Sequence, residues 1–218
     1  DPVAAVILKS EGLSAPYESP NAKTLPGLYR DPEHHWTGFP ARTRVIIYNK
    51  NLITDPEDVP TSIFDMMNPR FSGKACISNP LLGTTLMHAA ALFQVLGKDF
   101  AEAFFNSLNT NGVKMLSTNS EVRRRVAAGD FAFGIADTED FSMASKEAQP
   151  VGVVFPDRQA FGTLVIPAVL VLVRHGPRKV NALLTFCYCP RSRNYWLRAP
   201  LYRFGERCRH WIGLNRWK

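Results

Sequence analysis

One stretch constrains the fold more than any other, because residues 73–96 read as a buried strand, a turn and a helix in direct succession. Asn79-Pro80 and Gly83 mark the turn, and Thr84 or Thr85 can cap the helix that follows it. A helix start behind a strand leaves backbone N–H groups and a positive dipole end at the turn, which favours anionic groups. The stretch therefore indicates an α/β domain, and a connection that binds nothing is the alternative interpretation.

Segments with strand and helix patterns alternate along the rest of the chain. The predicted strands are 44–49, 74–78, 113–116, 131–136, 151–155 and 164–173, and the predicted helices are 2–12, 61–67, 84–96, 99–108 and 120–128. This alternation predicts an α/β fold with largely parallel strand pairing.

The positive charge is confined to one end of the chain. Residues 179–218 hold nine Lys or Arg and one Glu, whereas residues 1–178 hold 17 basic and 18 acidic residues. Three of the four cysteines and three of the four tryptophans lie in the same last 40 residues. The longest apolar run, 164–173, is too short to span a membrane.

The basic tail, 179–218, is open to several interpretations. Arginines among tyrosines and tryptophans suit nucleic acid, and Cys187, Cys189, Cys208 and His210 suggest zinc, although their spacing matches no common zinc pattern. Reading permitted codons of 184–197 from the third base instead yields an Asp-Phe-Leu-Leu-Leu-Ser-Pro-Glu run. We therefore expect a frameshifted, aberrant tail and no binding of nucleic acid.

The segment Gly38 to Lys50 carries Gly-Phe-Pro-Ala-Arg-Thr-Arg-Val-Ile-Ile-Tyr-Asn-Lys. It resembles the Gly-x-Ser-Gly-Arg-x-Arg-Val-x-Val-Tyr-Asn segment of extracellular solute-binding proteins of ABC importers, the ferric-iron group in particular. Further motifs of that family follow in the same order, at 60–65, 69–74, 83–85, 108–113 and 120–135. The resemblance covers about residues 1–177.

This resemblance implies an α/β, bilobal fold of the type 2 periplasmic binding proteins, with the first lobe incomplete. The expected division is 1–50 for part of the first lobe and a hinge strand, 51–137 for the second lobe and 138–178 for the return to the first lobe. Family members begin with a βαβ portion that is absent here. We therefore expect a fragment that lacks this portion and the signal peptide.

The resemblance also implies a function in transport rather than in catalysis. Such a subunit captures a small ligand in the cleft between its lobes and delivers it to an inner-membrane permease. It acts as a monomer in the periplasm or anchored at the cell surface, and without a cofactor. No Ser-His-Asp or Cys-His set with recognisable spacing is present in the sequence. A bilobal sensor or enzyme-like domain without transport is the alternative.

Candidate ligand-binding residues follow from the family motifs. Arg42 matches the arginine of an anion-contacting loop, and the Gly83 turn matches the helix start that faces the ligand. The acidic segment 137–140 falls where ferric-binding members place adjacent tyrosines. The predicted ligand-binding residues are Arg42, Asn79, Gly83, Thr84, Thr85, Asp137, Thr138 and Asp140.

The identity of the ligand stays open at this point. Carboxylates are hard oxygen donors like phenolates, so Asp137, Glu139 and Asp140 suit a metal ion, or an amine. The missing tyrosines, and Pro40-Ala41 in place of Ser-Gly, count against iron(III). The alternatives are a polyamine-like, aminophosphonate-like, thiamine-like or sugar-like solute, and a solvated turn that binds nothing. Because both segments follow parallel strands, we expect the Gly83 turn and the acidic segment to converge.

Overall fold

The structure is a computed structural model, and it describes residues 2–23 and 25–176. The predictions about the tail, 179–218, concern residues outside the described ranges. The helices are α1 (Pro2–Ser10), α2 (Gly83–Leu96), α3 (Lys98–Thr110), α4 (Asn119–Ala128) and α5 (Thr138–Lys146). The strands are β1 (Ser14–Ala15), β2 (Trp36–Asn49), β3 (Ala75–Ser78), β4 (Lys114–Leu116), β5 (Phe133–Asp137), β6 (Val151–Val154) and β7 (Val165–Val173). Short 3₁₀ helices span Pro20–Ala22, Gly27–Tyr29, Pro56–Asp58, Ile63–Met67 and Pro69–Phe71.

The described residues form two compact units, one within residues 1–42 and 166–176 and one of Thr43–Val165. In the described part of the first unit, β1 pairs antiparallel with β7, with Ser14 opposite Val173. Lys9 of α1 bridges Asp31 at 2.9 Å and Glu33 at 2.8 Å. The predicted division at 50, 137 and 178 stays a prediction about the lobes of a longer protein.

The second unit is built on a mixed sheet with the strand order β6-β2-β5-β3-β4. Strand β3 is parallel to both β4 and β5, whereas β2 is antiparallel to β5 and β6. The expectation of largely parallel pairing was therefore wrong. Strand β2 enters the sheet from the long loop-rich segment before it rather than from a crossover helix, and parallel pairing requires such a crossover.

Apolar residues cover both faces of this sheet. Ile46 on β2 packs in a cluster with Leu92 of α2 and Phe104 of α3. Its neighbours Val45 and Ile47 point to the opposite face and pack with residues of α4 and α5. A strand that is apolar on both faces has to be covered on both faces, which explains the continuous Val-Ile-Ile run.

Most of the predicted elements are confirmed to within a few residues, but the acidic segment is not a loop. Residues 138–140 form the first turn of α5. The helix is only nine residues long and its first turn holds Glu139 and Asp140, so the acids were more evident in the sequence than the helix. Acids in a first turn are favourable, because they face the positive end of the helix dipole.

Gly134 lies in the middle of β5, where it allows close packing. A Cβ atom at this position would lie 2.6 Å from Cγ1 of Val122 and 2.8 Å from the carbonyl oxygen of Cys76. We expect Gly134→Ala to lower the free energy of unfolding by about 1–3 kcal/mol through overpacking. Urea denaturation measures this loss. Gly27→Ala is the control, because a Cβ atom there meets nothing within 4 Å; equal stability of the two variants would contradict the prediction.

No helix among the described residues is both long enough and apolar enough to cross a membrane.

Candidate ligand-binding site

Helices α2, α4 and α5 begin at one edge of the sheet in the second unit. They follow β3, β4 and β5, which run parallel, so their N-termini gather at the carboxyl ends of these strands. Asn119 at the start of α4 joins the other two starts: its Nδ2 donates to Oγ1 of Thr84 at 2.8 Å and to Oδ2 of Asp137 at 3.1 Å. The predicted convergence of the Gly83 turn and the acidic segment is present in the structure.

A buried ion pair lies at the centre of this edge. Nη1 of Arg44, on β2, donates to Oδ1 of Asp137 at 2.7 Å, and both side chains are almost completely buried. The register of β2 against β5 sets Arg44 opposite Asp137. The guanidinium points at the start of α2, and its Nε has no acceptor among the described residues. The pair satisfies a charge that would otherwise be costly inside the protein.

The hydroxyl of Thr84 is fully used inside the protein. It accepts hydrogen bonds from Arg44 Nη1 at 3.0 Å and from Asn119 Nδ2 at 2.8 Å. It donates its single proton to Oδ2 of Asp137 at 2.7 Å. A hydroxyl has one proton and two lone pairs, so nothing remains for a ligand.

The hydroxyl of Thr85 is likewise engaged in hydrogen bonds within the protein. Its Oγ1 accepts from Arg44 Nη2 at 3.2 Å and lies 2.5 Å from Oγ of Ser78. Ser78 in turn donates to Oδ1 of Asn119 at 2.6 Å. The side chains of Thr84 and Thr85 therefore hold the helix starts together rather than cap α2, and the predicted cap was wrong. Both hydroxyls point to the guanidinium of Arg44, because this buried group needs hydrogen-bond acceptors.

The starts of α4 and α5 are closed by side chains. Oγ1 of Thr118 accepts from the backbone N–H of Glu121 at 3.1 Å, so Thr118 caps α4. The carboxylate of Asp140 accepts from the backbone N–H of Asp137 at 3.2 Å and from Ser120 Oγ at 3.2 Å. Burial raises the pKa of Asp140 above its ordinary value, although the hydrogen bond from the backbone N–H of Asp137 acts in the opposite direction.

No side chain among the residues that the structure describes caps the start of α2. Leu82 stands at its N-cap position and makes no capping bond. Among the described residues, no group accepts a hydrogen bond from the backbone N–H of Gly83, Thr84 or Thr85. Leu81 and Leu82 beside them are 73% and 61% exposed. The edge thus offers a set of unused N–H donors bordered by apolar side chains.

The remaining predicted residues have other positions. Asn79 uses its Oδ1 to accept from the backbone N–H of Leu81 at 2.9 Å, which shapes the turn. Thr138 is buried, and its hydroxyl accepts from the backbone N–H of Thr43 at 3.2 Å. Arg42 is exposed, belongs to the first unit and lies within β2 rather than in a loop. Its role in ligand binding stays a prediction.

The hydrogen bonds around Asp137 involve two residues that were not predicted as part of the site, Arg44 and Asn119. The sequence pattern predicts Arg44 only as part of a strand, although a charge within an apolar strand requires a buried partner. That requirement is the signal that could have found it. Asn119 lies at the start of α4, and no local pattern reveals its contacts with Thr84 and Asp137.

A small cavity next to the network contains a buried histidine. His88 of α2 shares it with Thr85, Ile77, Leu92 and Phe104. Burial, together with the positive charge of Arg44, lowers the pKa of His88 to about 3. His88 is therefore neutral at physiological pH. Within the described ranges, no three His, Cys, Asp or Glu side chains are grouped so that they could hold a metal ion.

Comparison with known proteins identifies the family. Residues 5–202 match the family described as bacterial extracellular solute-binding protein. The chain belongs to this family. Among its curated relatives is iron uptake protein A1 of Synechocystis sp., 26% identical over 185 residues, which are 80% of this chain and 51% of that protein. Another is the Fe(3+)-binding periplasmic protein of Serratia marcescens, 26% identical over 132 residues, which are 61% of this chain and 38% of that protein.

Two solved structures show the same fold. Iron-bound HitA from Pseudomonas aeruginosa has a TM-score of 0.78 at 24% identity, over 88% of this chain and 63% of that one. The Trichodesmium protein IdiA (FutA), solved with iron and citrate, has a TM-score of 0.73 at 24% identity, over 88% and 64%. The expected fold of the type 2 periplasmic binding proteins is confirmed. The chain spans about half the length of the Synechocystis protein.

Proposed function

We propose that this chain is part of the solute-binding subunit of an ABC importer, which captures a small ligand outside the cytoplasm and delivers it to a permease. Membership of the bacterial extracellular solute-binding family supports this proposal. The periplasmic name of the Serratia relative supports the location. The subunit binds its ligand without chemical conversion, and it acts as a monomer.

We propose that the ligand presents an anionic group to the start of α2. The observation that carries this is the unused N–H groups of Gly83, Thr84 and Thr85 beside two helix starts that are closed by side chains. Such groups, at the positive end of a helix, favour a carboxylate or a phosphate. The exposed Leu81 and Leu82 suit an apolar portion of the same solute. An amine held by Asp137 is disfavoured, because Arg44 already neutralises that carboxylate.

Iron(III) is the second candidate, favoured by the names of the relatives from Synechocystis and Serratia. The acidic segment is poorly suited to hold the bare ion, since Asp137 is paired with Arg44 and Asp140 bonds to the starts of α4 and α5. An iron(III) chelate fits better, because a carboxylate of the chelator reaches the same N–H groups. The anionic solute and the iron(III) chelate thus use the same contact with the N–H groups at the start of α2.

Closing the start of α2 with an acidic cap tests this proposal. Leu82 has the extended backbone of an N-cap residue and an exposed side chain, so aspartate is tolerated there. We expect Leu82→Asp to raise the free energy of unfolding by about 0.5–2 kcal/mol, because its carboxylate caps the free N–H groups. The same carboxylate should weaken binding of an anionic solute by about tenfold or more, through competition and repulsion.

Calorimetry and thermal-shift assays on the 218-residue chain measure both effects. The probes are inorganic phosphate, 2-aminoethylphosphonate, citrate, ferric citrate and, as a cationic probe, spermidine. Leu82→Ala is the matched control: it removes the same leucine side chain without adding a carboxylate, so the further loss of affinity in Leu82→Asp measures competition and repulsion by the carboxylate alone. Stabilisation by ferric citrate alone would favour the chelate. Unchanged anion affinity in Leu82→Asp, or binding of spermidine alone, would refute the proposed site.

A further inference from the structure

Three donors from three different elements converge on the carboxylate of Asp137. Nη1 of Arg44 on β2 reaches Oδ1 at 2.7 Å, the hydroxyl of Thr84 on α2 reaches Oδ2 at 2.7 Å, and Nδ2 of Asn119 on α4 reaches Oδ2 at 3.1 Å. A guanidinium, a hydroxyl and an amide form a donor set that suits a free carboxylate or phosphate. Here the anion is a side chain of the protein itself.

The donors keep this arrangement through bonds that do not involve Asp137. Asn119 is oriented by Ser78, which donates to its Oδ1 at 2.6 Å. Arg44 is held by Thr85, whose hydroxyl accepts from Nη2 at 3.2 Å. Asp137 is only 2% exposed. Truncation of its side chain therefore leaves a small enclosed space lined by a positive charge and two further donors.

We infer that Asp137 is a resident anion, which fills an anion-binding pocket built by Arg44, Thr84 and Asn119 and keeps external anions out of it. Asp137 thereby acts as a specificity-determining residue for ligand binding. This role rests on the proposed function. The acid of the ligand is left with the backbone N–H groups of α2, and Arg44 contributes no charge to it. Filling of the pocket by Asp137 is a property of the protein alone and is tested without the transported ligand.

Chemical rescue of a truncated variant tests the inference. Asp137→Ala in the 218-residue chain removes the carboxylate and leaves the donors unpaired. We expect sodium formate at about 100 mM to raise the Tm of this variant by about 2–4 °C relative to sodium chloride at the same concentration. The wild-type chain should show no difference between the two salts, because its pocket is occupied.

The isosteric variant Asp137→Asn is the matched control. Its amide fills the space without supplying an anion, so it should be destabilised but not rescued by formate. An equal effect of formate on Asp137→Ala, Asp137→Asn and the wild type would overturn the inference. If phosphate did not bind at the start of α2 while formate still rescued Asp137→Ala, only the proposed function would be refuted.

A double variant covers the case in which Asp137→Ala does not fold in chloride. Removal of the arginine as well, in Arg44→Met with Asp137→Ala, leaves no buried charge in need of an anion. We expect this double variant to fold in chloride and to have a higher Tm than Asp137→Ala, with no response to formate. A double variant that is less stable than Asp137→Ala, or that responds to formate, would contradict a pocket built around Arg44.

Discussion

Between pH 7 and pH 5, the wild-type chain is expected to lose about 2 kcal/mol more free energy of unfolding than a His88→Leu variant. Burial and the charge of Arg44 lower the pKa of His88 to about 3, against an ordinary value of 6.5. The unfolded chain therefore binds a proton between these two values and the folded chain does not. This contribution to stability is present above pH 6.5 and is lost progressively as the pH falls towards 3.

Leucine suits this position, because Ile77, Leu92 and Phe104 line the same cavity. Urea denaturation at pH 7 and pH 5 measures the difference, and comparison of the two chains cancels the titration of the carboxylates that they share. His175→Asn, at an exposed position with a positive φ of 64° that asparagine tolerates, is the control. If His88→Leu lost as much stability as the wild type, His88 would not be the group that titrates.

Arg44→Met is expected to lower the free energy of unfolding by about 3–5 kcal/mol, because it leaves the carboxylate of Asp137 buried without a charged partner. The two groups are 2.7 Å apart and almost inaccessible to solvent. The variant also takes a donor from each of Thr84 and Thr85. The expected loss is therefore a large part of the stability of a domain of this size.

The same substitution at an exposed ion pair provides the comparison. Arg125 lies 2.9 Å from Asp130, and both side chains are about half exposed. Arg125→Met should cost no more than about 1 kcal/mol, since water solvates the carboxylate that is left. Denaturation curves of the two variants measure the contrast. Losses of equal size would show that Arg44 is no more important to the fold than a surface arginine.

Much of the architecture follows from local patterns. The Val-Ile-Ile run of β2 and the turn residues before α2 suffice to place a strand and a helix start. The meeting of Thr84 with Asp137 follows from one further rule, that parallel strands carry their loops at a common edge. These inferences require only the order of elements along the chain.

The hydrogen-bond partners of the side chains at that edge do not follow from the order of elements. Whether the hydroxyl of Thr84 is free depends on Arg44, 40 residues away, and on Asn119, 35 residues away. Asp137, a predicted ligand-binding residue, pairs with Arg44, 93 residues away. No spacing rule gives these partners, because the register of β2 against β5 sets one of them and helix packing sets the others.

The uneven use of side chains around the start of α2 has a consequence for how this protein can evolve. Thr84, Thr85 and Asn119 each take part in several buried bonds, so a substitution there threatens the fold before it alters recognition. Leu81 and Leu82 lie next to the same N–H groups with most of their surface in solvent. Under the proposed function, descendants of this chain can therefore change their ligand at these two positions with little effect on stability, and the inherited scaffold is preserved while the range of solutes drifts.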